Sequence, residues 1–322
     1  MASTISISVV IPAHNRAKTI GYCLDSVCNQ TAKPLEVIVV DDCSTDNTVQ
    51  VVNDYSRLHP LVKVVELAHN SGAQAARNRG IVEAKGEWIA FQDSDDEWTL
   101  DKLEKQISAL AKTGYDPLTV VHTDAWRHNP VSGERKIWNV QLCEGWVHAD
   151  LLRAPAPLFP AMLTSKSSLI QIGLLDEAVP SYQEWDTAIR LAKKCRFIHI
   201  REPLFVYHIH AGETISKDNM KNIKGYQYIL DKHREDIIRV CDIETLNRHL
   251  EENALKAMRM GFYTEAQQIM KKTIGTSFHI ALIKCIARRI ISIHIYTFVT
   301  RVVRRIWLIG EDMSIKNNIR VK

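Results

Sequence analysis

The chain has 322 residues, 46% hydrophobic and 24% charged, with a formal net charge of +4. This describes a globular protein able to bury a sizeable core, as one large domain or a core domain with appendages, and the charge excess is too small to imply nucleic-acid binding. The seven cysteines are scattered without a Cys-x-x-Cys pair, which argues against a zinc cluster and suits a reducing compartment.

Ile5 to Ile11 alternates Ser with β-branched residues and predicts a strand ended by Pro12. Ala17 to Asn29 has helical spacing, with Ile20, Leu24 and Val27 on one face. Leu35 to Val40 is a continuous apolar run, as expected of a strand covered on both faces. A helix from about Thr48 to His59, a strand over Val62 to Leu67, a small-residue helix over Gly72 to Ala84 and a strand over Trp88 to Phe91 follow. A further helix is expected over Glu97 to Lys112. The order β-α-β-α-β-α-β predicts an α/β fold with a mostly parallel, doubly wound sheet and right-handed crossovers. Beyond it, Val120 to Trp126 reads as a strand, 128–146 as a hairpin or loop, Glu184 to Lys193 as a helix, and Arg196 to Ile200 and Leu204 to His208 as strands. From Asn222 onward the pattern is helical. The opening residues lack the charged and apolar regions of a secretory leader, so none is expected, and no apolar run of about 18 residues suggests a membrane span.

The P-loop, the Gly-x-Gly-x-x-Gly turn and the Gly-x-Ser-x-Gly elbow are all missing, which removes three common α/β chemistries. Polar loops instead stand at the carboxyl ends of three predicted strands, where open α/β sheets place their ligands. Asp93-Ser94-Asp95-Asp96 packs three carboxylates into four residues, so either a hard cation carrying phosphate neutralises them or they form a solvated loop capping the next helix. At the first strand end, the His14 ring could stack on a base and Arg16 could approach phosphate, or the segment is a plain turn. At the second, Asp41 and Asp42 could accept from a base or ribose, or cap a helix with Ser44 and Asp46. Gly72 to Gly80 lets a helix start close to a ligand. Arg77 and Arg79 point different ways on it, so one can face the crevice while the other is solvated.

These four segments, in this order and spacing, resemble the motifs of family 2 glycosyltransferases of the GT-A fold: Pro12 to Asn15, Val40 to Asp46, Gly72 to Gly80 and Asp93 to Asp95. His14 stands where the family has Tyr, and Cys43 where it has Gly, so position 43 is expected to need no positive φ. The resemblance covers about 5–216. It implies that Pro12, His14, Asp42 and Arg77 hold a nucleotide, usually uridine diphosphate, with Asp93 on the ribose or sugar and Asp95 on Mn²⁺ or Mg²⁺. Asn15, Arg16, Asp41 and Ser94 complete the expected donor-binding set. Asp96 is expected to cap the following helix or to support its acidic neighbours.

The resemblance also covers Ser181 to Leu191, where Glu184 falls at the family's catalytic base, with Asp186 as competitor unless it pairs with Arg190 at i,i+4. Trp185 would be a sugar-stacking acceptor platform. His210, in the closing segment, matches a family His that could reach the metal or the diphosphate. The expected organisation is a catalytic domain over 1–218, with a nucleotide half to about 98 and an acceptor half after it, and a helical region over 219–322.

From Lys284 to Arg305, basic residues alternate with apolar ones and no acidic residue intervenes, as in helices lying on an anionic membrane or packed on the core with a basic outer face. The expected activity is inverting hexosyl transfer of Glc or Gal from a UDP-sugar. The expected acceptor is a GlcNAc-diphospho-polyprenol in O-antigen or capsule synthesis. The setting would be cytoplasmic, peripheral at the inner face of the bacterial inner membrane, without nucleic acid and compatible with a homo-oligomer. The rivals are a sugar nucleotidyltransferase and a non-catalytic sugar-nucleotide or polysaccharide-binding protein.

Overall fold

A computed structural model describes residues 5–138, 140–209 and 218–275. The chain divides into two compact units, Met1–Gly225 and Tyr226–Lys322.

The first unit begins with four parallel strands, β1 (Ile7–Ala13), β2 (Glu36–Asp41), β3 (Val62–Glu66) and β4 (Trp88–Phe91), joined by α1 (Ile20–Cys28), α2 (Thr48–Leu58) and α3 (Ala73–Glu83). β1 and β2 are buried along their whole length, as strands covered on both faces must be. Pro12 does not end β1, which continues to Ala13 and pairs Pro12 with Val40. The Val10 carbonyl accepts from Gln92 just past β4, and Pro12, two residues on, faces the same side. Its missing N–H therefore points where β4 has already run out.

After β4 come β5 (Glu97–Trp98), α4 (Lys102–Ala111), β6 (Thr119–Asn129), β7 (Glu134–Trp138), α5 (His148–Arg153), β8 (Leu163–Ser165), α6 (Lys166–Gln171), α7 (Gln183–Ala192) and β9 (Arg196–His208). The sheet order is β3-β2-β1-β4-β8-β6-β9-β5, with β7 paired on β6. β8 runs antiparallel to β4 and β6, so β6 points the same way as β1 and carries its hairpin partner β7 past the strand ends. The expected helix over 97–112 is shorter, because Glu97 and Trp98 pair with Val206 and Phe205 of β9. The two strand segments expected over 196–208 are one strand with a bulge.

One face of the sheet packs on α1 and α4 through Val9, Ile11, Leu24, Ala90, Leu103 and Phe205. The other carries α3, where a Cβ on Gly80 would overlap Val10. Only glycine allows so close an approach. In the second unit, α8 (Asn219–Lys232, beginning in the first unit) is followed by α9 (Arg234–Asp236), a π turn (Ile237–Cys241), α10 (Ile243–Arg259) and α11 (Tyr263–Met270). Asp242 caps α10 by accepting the Thr245 N–H at 2.6 Å. No described helix is long and apolar enough to cross a membrane. The basic stretch Lys284 to Arg305 lies outside the described residues.

Lys102 opens α4 with no exposed surface. Its Nζ donates to Gln106 Oε1 at 2.9 Å and lies 3.9 Å from the Trp98 ring centroid. Burial holds its pKa well below the ordinary 10.5. The folded protein therefore binds this proton less tightly than the unfolded chain, and stability falls as pH drops below 10.5 toward the folded pKa. The slope reaches at most about 1.4 kcal/mol per pH unit. Lys102→Met should abolish this component of the slope in urea-unfolding midpoints measured from neutral pH to about pH 11.

Candidate active site

The loops after β1, β2 and β4 meet at one end of the sheet and cross-link through their backbones. The Asn15 N–H donates to Ser44 Oγ at 2.9 Å, and Asn15 Oδ1 accepts the Thr45 N–H at 2.8 Å. The Arg16 N–H donates to Thr48 Oγ1 at 2.7 Å. His14 Nδ1 bonds the Asp42 carbonyl at 2.8 Å, which leaves the ring partly exposed at the crevice.

Both carboxylates at the end of β2 are turned onto backbone. Asp41 accepts the Ser44 N–H at 2.8 Å. Asp42 accepts the Ser71 N–H at 2.6 Å through Oδ1 and the Gly72 N–H at 2.8 Å through Oδ2. Asp42, expected on the nucleoside, thus holds the entry to α3 with both oxygens, and a base could engage only the remaining lone pairs. Cys43, expected without positive φ, adopts φ 59°. The turn that frees Asp41 and Asp42 to reach these amides needs the left-handed conformation whichever residue occupies it.

Asp93, Ser94 and Asp95 lie beyond β4, where two arginines reach them. Arg77, buried on α3, donates to Asp93 Oδ1 at 2.7 Å and to Gln183 Oε1 at 3.3 Å, and its guanidinium stacks 4.3 Å above the Phe159 ring. Arg79 is the solvated one, paired with Glu83. Arg16 lies 3.4 Å from Asp95 Oδ2. Burial pushes the Asp93 carboxyl up, opposed by Arg77 and reinforced by Asp95. Asp96 is pushed far higher by burial, Asp95 and Asp93.

Asp96 does not cap a helix. α4 starts six residues later, and Asp96 Oδ1 instead accepts the His208 N–H at 2.9 Å, while its buried Oδ2 has no hydrogen-bond partner. Three carboxylates in four residues, two of them with raised pKa and one with an orphaned buried oxygen, form a site short of positive charge. That is the electrostatic fit expected of a divalent cation. Among the described residues no group of three His, Cys, Asp or Glu side chains could enclose a metal alone, so the fit is to an ion whose remaining ligands come from phosphate and water. His210 lies outside the described residues.

α7 begins after Tyr182, itself at φ 59°, and brings Glu184 to the same place. Burial pushes the Glu184 carboxyl up; its own backbone N–H and Arg77 oppose the shift, and Asp93 reinforces it. Glu184 therefore feels the charges of the crevice. Asp186 is buried and accepts from Arg190 Nε at 2.8 Å, and the same guanidinium donates to the Ile172 and Leu174 carbonyls at 2.9 and 2.6 Å. Such a carboxylate is a structural anchor and not a base.

Trp185 is no sugar platform. It has no exposed surface, and its Nε1–H donates to the Leu151 carbonyl at 2.6 Å, locking α7 to α5. One residue along a helix turns the side chain by about 100°, so with Glu184 in the crevice its neighbour enters the core. Sequence reasoning missed Gln183, Phe159 and Tyr22, whose hydroxyl donates to the Asp95 carbonyl at 3.0 Å. Tyr22 gave no signal in the sequence, since its neighbours along that helix face, Lys18, Thr19, Asp25 and Ser26, are polar.

Residues 8–145 match the family model for Glycosyl transferase family 2. The glycosyltransferase YwdF of Bacillus subtilis is 30% identical over 234 residues, covering 71% of this chain and 84% of that protein. TuaG of Bacillus subtilis, named for teichuronic acid biosynthesis, is 39% identical over 135 residues, which is 39% of this chain and 54% of TuaG. The match thus spans about half of that relative's length. Among solved structures, TarS of S. aureus in complex with UDP-GlcNAc superposes with a TM-score of 0.63 at 22% identity, covering 84% of this chain and 82% of that one. A Pyrobaculum calidifontis mannosyltransferase with GDP-Man and Mn²⁺ superposes with a TM-score of 0.60 at 19% identity, covering 92% and 84%.

Two stability measurements test the geometry. Cys43→Gly should raise unfolding stability by about 0.5–1 kcal/mol, since glycine accepts the positive φ without strain. Arg190→Met should lower it by about 3 kcal/mol, because Asp186 would stay buried without its counter-charge. Both are read from denaturant midpoints.

Proposed function

The chain belongs to glycosyl transferase family 2, and we propose that it is an inverting, metal-dependent hexosyltransferase. It moves glucose or galactose from a UDP-sugar to a saccharide hydroxyl on a diphospho-polyprenol-linked GlcNAc. A bacterial surface polymer such as O-antigen or capsule is the product, in keeping with the polymer for which TuaG is named. The observation that carries the reading is the Arg77 bridge. One buried guanidinium joins Asp93 of the donor loop to Gln183, the residue before Glu184, so donor and base share one crevice.

The nucleotide lies across the loops after β1 and β2, with the His14 ring against the base and Pro12, Asn15 and Ser94 shaping the floor. Asp93, oriented by Arg77, meets the ribose or sugar. Asp95, with His210, would hold Mn²⁺ or Mg²⁺, which when bound neutralises charge on the departing diphosphate. Arg16, beside Asp95, adds positive charge at the same place. Glu184 takes the proton of the acceptor hydroxyl. That oxygen bonds the anomeric carbon from the face opposite the leaving group, the carbon–oxygen bond to UDP breaks, and an α-linked donor gives a β-linkage. The pairing of Asp186 with Arg190 supports Glu184 over it as base. A lipid-linked acceptor brings the enzyme to the inner face of the membrane, and the basic, apolar composition of Lys284 to Arg305 supports that placement.

Turnover is measured as UDP release from UDP-Glc or UDP-Gal with Mn²⁺ and a synthetic GlcNAc-diphosphate-lipid. Asp95→Ala and Glu184→Ala should each lower it by about 100-fold or more, and chelation should abolish it. Intact turnover in both variants would sink the mechanism. The base works deprotonated, and its pKa is raised above the ordinary 4.5. The acid limb of kcat should therefore sit above that value, and Asp93→Asn, which removes a charge that raises it, should move the limb to lower pH. An acid limb that stays in place in that variant would separate Glu184 from proton transfer.

A further inference from the structure

The acceptor wall lost with Trp185 has a replacement elsewhere in the fold. Val10 pairs with Phe91, Ile89 with Thr164 and Thr164 with Val120. Alternation along β6 then puts His122, Asp124, Trp126 and His128 on the face of the sheet that carries α3. Arg77 and Glu184 stand on that side. Asp124 is tied down by the Val140 N–H at 3.0 Å and His199 Nε2 at 3.0 Å, so it supports the strand and is not a free ligand. Trp126, one step further toward the crevice end, is only partly buried, and the Arg135 guanidinium lies 4.5 Å over its ring. A tryptophan with one face braced by a cation is a rigid surface for a sugar ring on the other.

The hairpin is also held in register with the donor loop. His128 Nδ1 meets His208 Nδ1 at 3.1 Å, and His208 bonds Glu97 Oε1 at 2.8 Å through its ring and Asp96 through its backbone. The charge of the hairpin is one-sided. From Trp126 to Trp138 it carries Arg127, Arg135 and Lys136 against a single carboxylate, Glu134, which Lys136 already neutralises at 2.6 Å.

We propose that Trp126 and Arg135 form the acceptor subsite, and that the acceptor is a phosphate-bearing saccharide whose pyranose stacks on Trp126 while its phosphate meets Arg135. The assignment rests on the transfer activity proposed above and adds where the acceptor lies and which chemistry selects it. A phosphate on a free sugar and one leading to a lipid offer the same group to Arg135.

The experiment uses the full chain with UDP and Mn²⁺ and three probes: a GlcNAc-diphosphate carrying a short prenyl chain, GlcNAc 1-phosphate and neutral octyl β-GlcNAc. Acceptor binding by calorimetry and acceptor KM are both read. Trp126→Ala should weaken all three probes about tenfold or more while the Kd for UDP stays within about twofold, and Trp126→Phe should recover most of the loss. Arg135→Ala should weaken the two phosphorylated probes about tenfold more than the neutral glycoside, which loses only the bracing of the Trp126 ring; equal weakening of all three would overturn the phosphate contact. Equal affinity for the two phosphorylated probes would identify the phosphate alone as the determinant, and preference for the prenyl compound would identify the lipid-linked source. Unchanged acceptor affinity in Trp126→Ala, with UDP binding intact, overturns the subsite even where wild-type turnover is normal. Binding that depends on Trp126 without any transfer faults the proposed activity and leaves the subsite standing.

Discussion

Arg77 is the joint at which the crevice is assembled. It is almost wholly removed from water, and a guanidinium there is stable only where carboxylate, amide and aromatic partners replace its hydration. Asp93, Gln74, Gln183 and the Phe159 ring supply them. These partners come from the donor loop, α3, the start of α7 and the turn before β8. Desolvation of one side chain therefore fixes four segments that are up to 106 positions apart. The shared environment of Asp93 and Glu184 follows from it.

Carboxylates at the strand ends divide between architecture and chemistry according to what they can reach. Asp41, Asp42 and Asp96 accept backbone N–H groups and hold the loop after β2, the entry to α3 and the end of β9. Asp186 holds Arg190 and, through it, the carbonyls of the turn before α7. Asp93, Asp95 and Glu184 remain at the crevice. The anchors make the site stiff, and stiffness preorganises charge ahead of the reaction.

Much of this was legible in the chain itself. Continuous apolar runs such as Val37 to Val40, short and rich in β-branched residues, fit strands covered on both faces, so the parallel sheet and the order of its elements followed. Loops at the carboxyl ends of parallel strands converge whatever their composition, which is why His14, Asp42 and Asp93 could be placed together before any coordinates. Short-range geometry was less accessible. Pro12 reads as a strand terminator, yet its register leaves no N–H to be missed. Cys43 reads as ordinary backbone, yet the amides that Asp41 and Asp42 must reach demand φ 59°.

Composition and spacing by themselves determined the fold class, the position of the crevice and the residue types that fill it, because burial pattern and strand polarity are properties of local sequence. Tertiary structure alone decided which acid is paired with Arg190, which tryptophan is fully buried and which arginine is removed from water. Glu184 and Asp186, Trp185 and Trp126, and Arg77 and Arg79 are alike in residue chemistry. They differ only in the direction each side chain takes once α7, β6 and α3 are packed, and that direction sets whether water, a counter-charge or the crevice lies in front of it.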